Sequence, residues 1–547
     1  MGWQDQVNSE LDALKNRGTV DALWRRDPSA WVAPSTGGAP AEEATGWLDL
    51  PDRIANLVDE LTSFADEVRN DGFTDLVLLG MGGSSLGPLV LGRVFGTSPG
   101  YLRLHVLDST MPGQITAVEN RIDLHRTLFL ISSKSGTTIE PLRLTAFFRK
   151  RLEEIGVENP DTRFIVATDP GSFLDTMANE RGFKRVFDTP VDVGGRFSVL
   201  SRFGLLPAAL IGVDLEKLLG PAVAMAQACR ASDDPETNPG ALLGATLGGL
   251  AAIGRDKVTI VTSPRLSSIG LWVEQLLAES TGKNGRGLVP VADETFYSVS
   301  EYGDDRNFVY IRLAGDENAG TDAHVSTLGN AGLPVTRIEL GHNYDLGAEF
   351  FRWEFAVAVA ATVISVYPFD QPDVENGKVF TRNLLESHDA TGQTLPDALD
   401  IAEVVKSVAS ARPGDYVAIF GYLPESLEVD SAVSELRAAI TRRTGIATTF
   451  GYGPRYLHST GQLHKGGPDG VIGLALVAGN EDALAAPRAD LGTETEIAYG
   501  FESLFVAQLL GDLEALRAKA HRNMMTVLKT PYAKAIQNIT ASLNEGQ

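Results

Sequence analysis

The chain has 547 residues, too many for one hydrophobic core and enough for about three domains, and its 43% hydrophobic and 22% charged residues are ordinary for a soluble globular protein. The net charge of −24 argues against a nucleic-acid partner and an anionic membrane surface, although a local pocket can still hold an anionic substrate. The single cysteine, Cys229, excludes an internal disulfide framework, and the longest apolar run, 355–367, is too short to cross a bilayer. With a polar N-terminus unlike a signal peptide, these features predict a soluble, cytoplasmic protein.

Residues 1–50 predict an N-terminal helical arm, and from residue 51 the pattern alternates between helix and strand. A predicted helix at 52–70 is followed by short β-rich apolar runs, with helical segments between them, within 75–88 and at 102–108, 127–133, 163–169 and 184–190. This alternation predicts right-handed crossovers and a parallel sheet with helices on both faces. We assign residues 51–232 to a first α/β domain.

The same alternation predicts two further α/β units, a second domain over 233–392 and a C-terminal domain over 393–547. In the second domain we expect helices at 240–253, 266–280, 345–366 and from 369–378 onwards, and strands at 257–263, 308–314 and 334–340. In the C-terminal domain we expect helices at 396–411 and 425–443, strands at 416–422, 446–452 and 471–478, and then helices to the end. The predicted fold class is therefore α/β with parallel sheets.

Two loops that follow predicted strands of the first domain indicate an anion site. GMGGSSLGP (80–88) offers backbone N–H groups, a helix N-terminus and the hydroxyls of Ser84 and Ser85. Its spacing matches neither the dinucleotide fingerprint nor a Walker motif, and a tight strand-to-helix turn explains it equally well. SSKSGTTIEP (132–141) is more specific, because it places five side-chain donors in the six residues 133–138, whereas a helix cap needs only one hydroxyl. This second loop favours a phosphate group.

Three further motifs carry charged residues next to glycines or prolines. Glu279 ends an apolar helical pattern in EQLLAESTGKNGR (274–286), where a helix stop at Gly282 can hold a general base, although a solvated carboxylate is the commoner explanation for such a residue. Arg196 in VGGRFSVLS (193–201) can meet a developing oxyanion or pair with a surface carboxylate. In FDQPDVENGK (369–378), Gln371 and Lys378 can share one helix face, although a lone lysine there is usually solvated.

These five motifs, in this order over residues 80–378, resemble the successive motifs of glucose-6-phosphate isomerases. The resemblance implies two sugar-isomerase (SIS-type) three-layer α/β/α sandwich domains with parallel sheets, plus a C-terminal α/β segment. The chain beyond 380, including FGYGPRYLHSTGQLHKGGP (450–468), more specifically resembles the isomerase half of bifunctional transaldolase/glucose-6-phosphate isomerases. No transaldolase barrel precedes it, so we expect either a free-standing isomerase or one half of such a fusion.

The resemblance also implies roles for individual residues. It places the sugar phosphate on Ser133, Ser135, Thr138 and the loop at Gly83 and Ser84, with Lys134 alongside. It makes Glu279 the base, Arg196 the residue beside the intermediate, and Gln371 and Lys378 the residues near the ring oxygen and the C1/C2 end. The implied activity is the interconversion of glucose 6-phosphate and fructose 6-phosphate through a cis-enediolate, in glycolysis and gluconeogenesis, without a metal or another cofactor.

Three departures from the family pattern stand out. Pro141 replaces a threonine that binds phosphate in many members, and Arg202 and Phe203 replace smaller residues. The family's NGQHAF motif, whose histidine opens the sugar ring, is absent, and EYGDDRNF (301–308) stands at the corresponding place. We hypothesise that the C-terminal segment supplies His458 or His464 instead, in cis or in trans. An ordinary role of these histidines as cap or loop residues is an equal alternative.

Two other functions are compatible with this sequence. A dual glucose/mannose-6-phosphate isomerase is one, because threonine-rich loops do not fix the stereochemistry at C2. A non-catalytic SIS-type sensor or regulator is the other; it would keep the 133–138 loop but would not need Glu279, Arg196 and Lys378 together. The expected partner is a small sugar phosphate, with no nucleic acid and no membrane. The chain is expected to be a homodimer, or a monomer if the C-terminal domain completes the site in cis, and a transaldolase partner or fusion is also allowed.

Overall fold

The computed structural model describes residues 2–35, 38–386, 398–479, 500–519 and 521–545. The expected boundary between residues 392 and 393, and the start of the helix expected at 396–411, lie outside the described residues. The division of the chain into four parts therefore stays a prediction, and the architecture is described below by its three sheets.

The first sheet has five parallel strands in the order β2-β1-β3-β4-β5. Its strands are β1 (Asp75–Gly80), β2 (Arg103–Leu107), β3 (Thr127–Ser132), β4 (Phe164–Thr168) and β5 (Arg185–Asp188). The helices of this part are α1 (Trp3–Arg17), α2 (Thr19–Trp24), α3 (Ala41–Ala44), α4 (Leu50–Arg53), α5 (Val58–Asn70), α6 (Gly83–Phe95), α7 (Pro112–Glu119), α8 (Ile139–Glu154), α9 (Phe173–Arg181), α10 (Arg202–Leu210) and α11 (Leu215–Ala231). Alternate residues of β1 enter two different cores, Leu76 and Leu78 on one face and Val77 and Leu79 on the other. Both faces are therefore covered by helices, as a parallel sheet requires.

The second sheet has four parallel strands in the order β7-β6-β8-β9. Its strands are β6 (Lys257–Thr262), β7 (Val289–Val291), β8 (Arg306–Leu313) and β9 (Val335–Leu340), and its helices are α12 (Pro239–Ala252), α13 (Ile269–Thr281), α14 (Ala319–Asn330), α15 (Leu346–Val363) and α16 (Pro372–Glu386). The edge strand β7 was not predicted, because a three-residue Val-Pro-Val run gives no periodic signal. One hydrophobic core contains residues of both the first and the second sheet, such as Leu78 and Ile260, so the two sheets pack as one body.

The third sheet also has four parallel strands, in the order β11-β10-β12-β13. Its strands are β10 (Tyr416–Tyr422), β11 (Ala447–Tyr452), β12 (Val471–Ala478) and β13 (Arg522–Leu528), and its helices are α17 (Ile401–Ala409), α18 (Leu427–Thr444), α19 (Gly461–Gly466), α20 (Phe501–Ala518) and α21 (Tyr532–Glu545). The prediction of helices from residue 479 to the end was wrong at β13. Its two methionines and its leucine favour helix in isolation, but their burial beside β12 decides the outcome.

The α/β fold class with parallel sheets is confirmed. The third sheet is joined to the second by a shared core in which Val289 and Val291 of β7 pack with Tyr416 and Phe420 of β10. The helix α20 also packs along α16. None of the helices in the described ranges has the length and apolar character needed to cross a bilayer.

Candidate active site

The two predicted anion loops lie side by side at one edge of the first sheet. β1 and β3 are paired in parallel with Gly80 opposite Ser132, so both strands end at the same edge and the loops 81–82 and 133–138 are neighbours. The helices α6 and α8 begin directly after these loops. Two helix N-termini thus converge at the carboxyl ends of the strands, where ligands of open α/β sheets bind.

The side chains of the second loop are arranged around the start of α8. Ser133 Oγ donates to Thr138 Oγ1 at 3.0 Å, and Thr138 is the N-cap residue of α8 although its hydroxyl makes no capping bond. Ser135 is exposed and accepts a hydrogen bond from Thr137 N at 3.3 Å. These hydroxyls line the loop at which an anion would meet the helix N-terminus.

Lys134 turns away from the other donors of this loop. Its Nζ lies 2.6 Å from Asp169 Oδ2 and donates to the main-chain oxygens of Val191 at 3.0 Å and Pro190 at 3.3 Å. Its charge is therefore compensated within the protein, and its bonds fix the loop against the ends of β4 and β5. The structure gives Lys134 a supporting position beside the anion loop.

Glu279 lies in the last turn of α13, which ends at Thr281 with Gly282 as its C-cap, as the sequence predicts. The side chain is 14% exposed, so it is shielded from water but still reachable. Glu279 Oε2 accepts a hydrogen bond from Gln275 Nε2 at 3.0 Å, and Oε1 lies 3.3 Å from Arg196 Nη1. The carboxylate is held on both oxygens, which is what a general base of fixed orientation requires.

Arg196 is 4% exposed and is the cation next to this carboxylate. Its N–H groups donate to four acceptors: Ser280 Oγ at 2.9 Å, Gln371 Oε1 at 3.1 Å, Pro368 O at 2.6 Å and Asp370 O at 3.1 Å. Burial lowers the pKa of the Arg196 guanidinium, and the negative charges of Glu279 and Asp370 oppose this change. A guanidinium remains charged in proteins, so Arg196 supplies a fixed positive charge beside the Glu279 carboxylate.

The short distance between the glycine loop and the Arg196 loop requires glycine at position 83. A Cβ on Gly83 would lie 2.0 Å from the main-chain oxygen of Gly195. Because the two backbones touch there, Arg196 and the N-terminus of α6 are held in a fixed relation. Ser84, the next residue of the loop, is 7% exposed.

His458 lies between β11 and α19, in the part of the chain that contains the third sheet and is called the third unit below. It reaches the surroundings of Glu279. Its main-chain oxygen accepts from Gln275 Nε2 at 2.9 Å, and its Nε2 lies 2.8 Å from Glu140 Oε1 in the first turn of α8. Burial alone would raise the pKa of the Glu140 carboxyl, but the charge and hydrogen bond of His458, together with the charge of Lys378, hold that pKa below its ordinary value. His458 therefore has an ionised carboxylate partner that fixes its ring orientation.

Lys378 and Gln371 approach the site from α16 and the residue before it. Gln371 bonds to Arg196, whereas Lys378 is exposed on the second turn of α16 and acts on Glu140 through its charge. Gln371 is thus linked directly to Arg196, whereas Lys378 is linked to the site through Glu140.

His464 occupies a different environment. It is 2% exposed, its Nδ1 lies 3.1 Å from Tyr416 Oη, and the rings of Phe420 and Tyr456 pack around it. Burial lowers the pKa of His464 to about 3, and the positive charge of Lys465 adds to this effect. The structure thus brings His458 to Glu140 and places His464 in the aromatic core of the third sheet.

The residues at the three departures from the family pattern make defined contacts. Pro141 lies in the first turn of α8, and its main-chain oxygen accepts from Thr145 Oγ1 at 2.7 Å. Arg202 donates to Glu60 Oε2 at 2.7 Å, at the start of α10. In the segment 301–308, Arg306 is fully buried and forms two 2.8 Å hydrogen bonds with Glu294, so this segment stabilises the second sheet.

Sequence reasoning missed Gln275 and Glu140 as members of the site. Gln275 precedes Glu279 by four residues, and this spacing alone places both side chains on one face of α13. Glu140 lies inside the SSKSGTTIEP motif, but its partner His458 is 318 residues away and had no local signal. Among the described residues, no group of three or more His, Cys, Asp or Glu side chains could hold a metal ion.

Comparisons with known proteins find similar sequences. Residues 41–292 match the family model for phosphoglucose isomerase. A glucose-6-phosphate isomerase of Rubrobacter xylanophilus is 32% identical over 392 residues, which cover 63% of this chain and 90% of that protein. A probable glucose-6-phosphate isomerase of Methanococcus maripaludis is 28% identical over 386 residues, covering 63% of this chain and 85% of that protein.

Solved structures agree on the fold. A hypothetical protein of Thermus thermophilus superimposes with a TM-score of 0.58 at 28% identity, covering 70% of this chain and 97% of that protein. A glucose-6-phosphate isomerase of Chlamydia trachomatis has a TM-score of 0.59 at 18% identity, covering 69% of this chain and 86% of that protein. On the Rubrobacter alignment and the family model together, the chain belongs to the glucose-6-phosphate isomerase family of enzymes.

Proposed function

We propose that this enzyme interconverts glucose 6-phosphate and fructose 6-phosphate by moving a proton between C2 and C1 through a cis-enediolate, as part of glycolysis and gluconeogenesis in the cytoplasm. The observation that carries the proposal is the 3.3 Å contact between Glu279 and Arg196 next to the two anion loops. A shielded carboxylate supplies the base, and a fixed guanidinium offsets the charge that develops on oxygen.

The phosphate group of the substrate is bound where α6 and α8 begin. The hydroxyls of Ser84, Ser133, Ser135 and Thr138 and the N–H groups at the two helix N-termini are the donors. Backbone dipoles and neutral hydroxyls carry most of this site, because Lys134 already pairs with Asp169. The phosphate thus anchors the substrate with C1 and C2 directed toward Glu279.

The isomerisation balances within the substrate. Glu279 removes the C2 proton of the open aldose and leaves an enediolate, whose oxygen charge is compensated by Arg196. The same carboxylate then returns the proton to C1, and the hydroxyl proton on O2 passes to O1, so that C2 becomes the carbonyl carbon. C1 is reduced as C2 is oxidised, so no external electron acceptor enters the balance.

Ring opening must come first, and we assign it to His458 acting within the same chain. The Glu140 carboxylate orients the imidazole through its 2.8 Å hydrogen bond. His458 can then exchange a proton with the ring oxygen and the C1 hydroxyl of the cyclic sugar, with Lys378 and Gln371 near the same end of the substrate. The third unit therefore replaces the missing NGQHAF motif.

The direct test is a coupled assay for conversion of fructose 6-phosphate by the wild type and by Glu279→Gln. We expect kcat to fall by about 10²- to 10⁴-fold, because a neutral amide cannot accept the C1 proton of fructose 6-phosphate. KM should change little, since the phosphate loops are untouched. A sensor or regulator of the same fold would show no turnover in the wild type, and conversion to mannose 6-phosphate would reveal the dual isomerase.

Glu274→Gln is the matched control. Glu274 lies on the same helix, is 7% exposed, and burial raises its pKa to about 8, so its carboxyl is mostly protonated at neutral pH and resembles an amide. Its replacement should leave kcat near the wild-type value. Full activity in Glu279→Gln would overturn the assignment of the base.

A further inference from the structure

One short stretch of the third unit touches several parts of the site. This bridging segment, residues 455–466, contains His458 and the helix α19. Arg455 at its start forms two hydrogen bonds with Asp108, at 2.8 and 2.7 Å, and Asp108 in turn accepts from Ser85 of the glycine loop at 3.2 Å. The segment is therefore fixed to the first sheet at one end.

Its other half contains Gln462, a fully buried side chain with three hydrogen bonds. Gln462 Oε1 accepts from the main-chain N–H of Asp373 at 2.9 Å. Gln462 Nε2 donates to the main-chain oxygen of Gly282 and to Asp373 Oδ2, both at 2.8 Å. The amide must face this way, because the opposite orientation would direct its carbonyl at two other acceptors.

These partners are the ends of the two helices that carry the reaction's charged groups. Gly282 caps α13 three residues after Glu279, and its carbonyl is one of the groups that a helix leaves unsatisfied at its C-terminus. Asp373 is the second residue of α16, between Gln371 and Lys378, and its N–H belongs to the free first turn. One side chain therefore satisfies both helix ends at once.

The backbone around Gln462 is packed closely against α13 and α16. A Cβ on Gly466 would lie 2.2 Å from Asp373 Oδ2 and 2.7 Å from Gln462 Nε2, and a Cβ on Gly282 would lie 2.4 Å from Leu463 Cα. The backbone of α19 thus touches the end of α13, and the missing side chain of Gly466 leaves room for the Asp373 carboxylate. A displacement of α19 would be transmitted to both helices.

We propose that Gln462 is a positioning residue, which sets the distance between Glu279 and the Gln371/Lys378 end of the site by tying α13 to α16. The proposal rests on the isomerase activity proposed above. Gln462 acts through helix ends and does not contact the phosphate loops, so its loss should affect the proton-transfer steps and leave phosphate binding intact.

The test compares Gln462→Met with the wild type in the fructose 6-phosphate assay. Methionine has the same length but makes none of the three hydrogen bonds, so α13 and α16 lose their common partner. We expect kcat to fall about 10- to 100-fold, as misplacements near 1 Å do, while KM stays within about three-fold. Gln462→Glu keeps the size of the side chain but places a carboxylate against Asp373 and Gly282 O, and it should show the same split between kcat and KM.

Lys519→Met is the matched control. Lys519 Nζ lies 2.6 Å from Asp373 Oδ1, but the side chain is 42% exposed and has no bond to Gly282, so its loss should leave kcat within about two-fold. Wild-type kcat in both Gln462 variants, an equal loss in Lys519→Met, or failure of both Gln462 variants to fold in a thermal melt would each overturn the positioning role. An inactive wild type would instead contradict the proposed function.

Discussion

A histidine that opens a sugar ring needs an imidazole that exchanges protons near neutral pH and meets the substrate. His458 is 19% exposed and is oriented by Glu140, whereas His464 is buried, with a pKa lowered to about 3. At neutral pH His464 is uncharged, bonded to Tyr416 and only 2% exposed, so its ring is not placed to meet a substrate. The exposure of a side chain and its hydrogen-bond partner cannot be read from the sequence. These two properties distinguish His458 from His464, although the residues lie only six positions apart.

This difference predicts opposite results for His458→Ala and His464→Gln. On cyclic fructose 6-phosphate, His458→Ala should lose about 10²-fold or more in kcat, because general acid–base catalysis of ring opening is removed. On a tetrose 4-phosphate, which cannot close a ring because its C4 oxygen is phosphorylated, the loss of C2-proton exchange with solvent should be much smaller. The exchange can be followed by NMR in D₂O.

His464→Gln keeps a hydrogen-bonding group for Tyr416 and should retain kcat on both substrates, with a lower melting temperature as its main effect. The assignment of ring opening to His458 would be contradicted by equal losses on the cyclic and the open substrate. It would also be contradicted by a loss of turnover confined to His464→Gln.

Glycines at the ends of α6 are needed for two separate reasons, a positive φ and close contact with another element. Gly82 and Gly96 are the caps at the two ends of α6, and both combine a positive φ with a negative ψ, at +55° and −128° and at +67° and −160°. Only Gly82 is also close to another element, since a Cβ there would lie 2.5 Å from His458 O and 2.9 Å from Gln275 Nε2. The open space around Gly96 makes it an internal control.

We therefore expect Gly82→Ala and Gly96→Ala each to lower the free energy of unfolding, measured in urea, by about 1–3 kcal/mol, because an alanine strains the backbone at either position. Only Gly82→Ala should also lose kcat, because its methyl group would push the bridging segment and the Gln275 amide away from Glu279. Equal kcat values in the two variants would show that the contact between α6 and the bridging segment has no part in catalysis.

The same elements show what the sequence can and cannot predict. The helix stop at Gly282 and the donor-rich loop 133–138 were predictable, because turn chemistry and capping are local. The strand β13 was not, since its methionines form a strand only beside β12. The contacts of His458 with Glu140 and of Gln462 with Asp373 join positions far apart in the chain, and one sequence has no signal for such pairs.

The whole molecule combines two sheets that share one core with a third sheet, and His458, the proposed ring-opening residue, comes from the part of the chain that contains this third sheet. Glu279 and Arg196 come from the two sheets that share the core, and His458 comes from the third unit of the same chain. Gln275 bonds to both Glu279 and the main chain of His458, so the proposed base and the proposed ring-opening group are linked within one polypeptide. We expect the site to be complete in cis.

Mixing two inactive variants tests this expectation. If His458 acted on a neighbouring subunit, a dimer of Glu279→Gln with His458→Ala would contain one intact site, and a random mixture would regain about a quarter of the wild-type activity. In cis, every site in every pairing lacks one of the two groups. Co-expression of the two variants, purified as a random mixture through one shared tag, should therefore give activity no higher than the sum of the separate variants. Recovery toward a quarter of the wild-type value would show that the third unit completes the site of a partner chain.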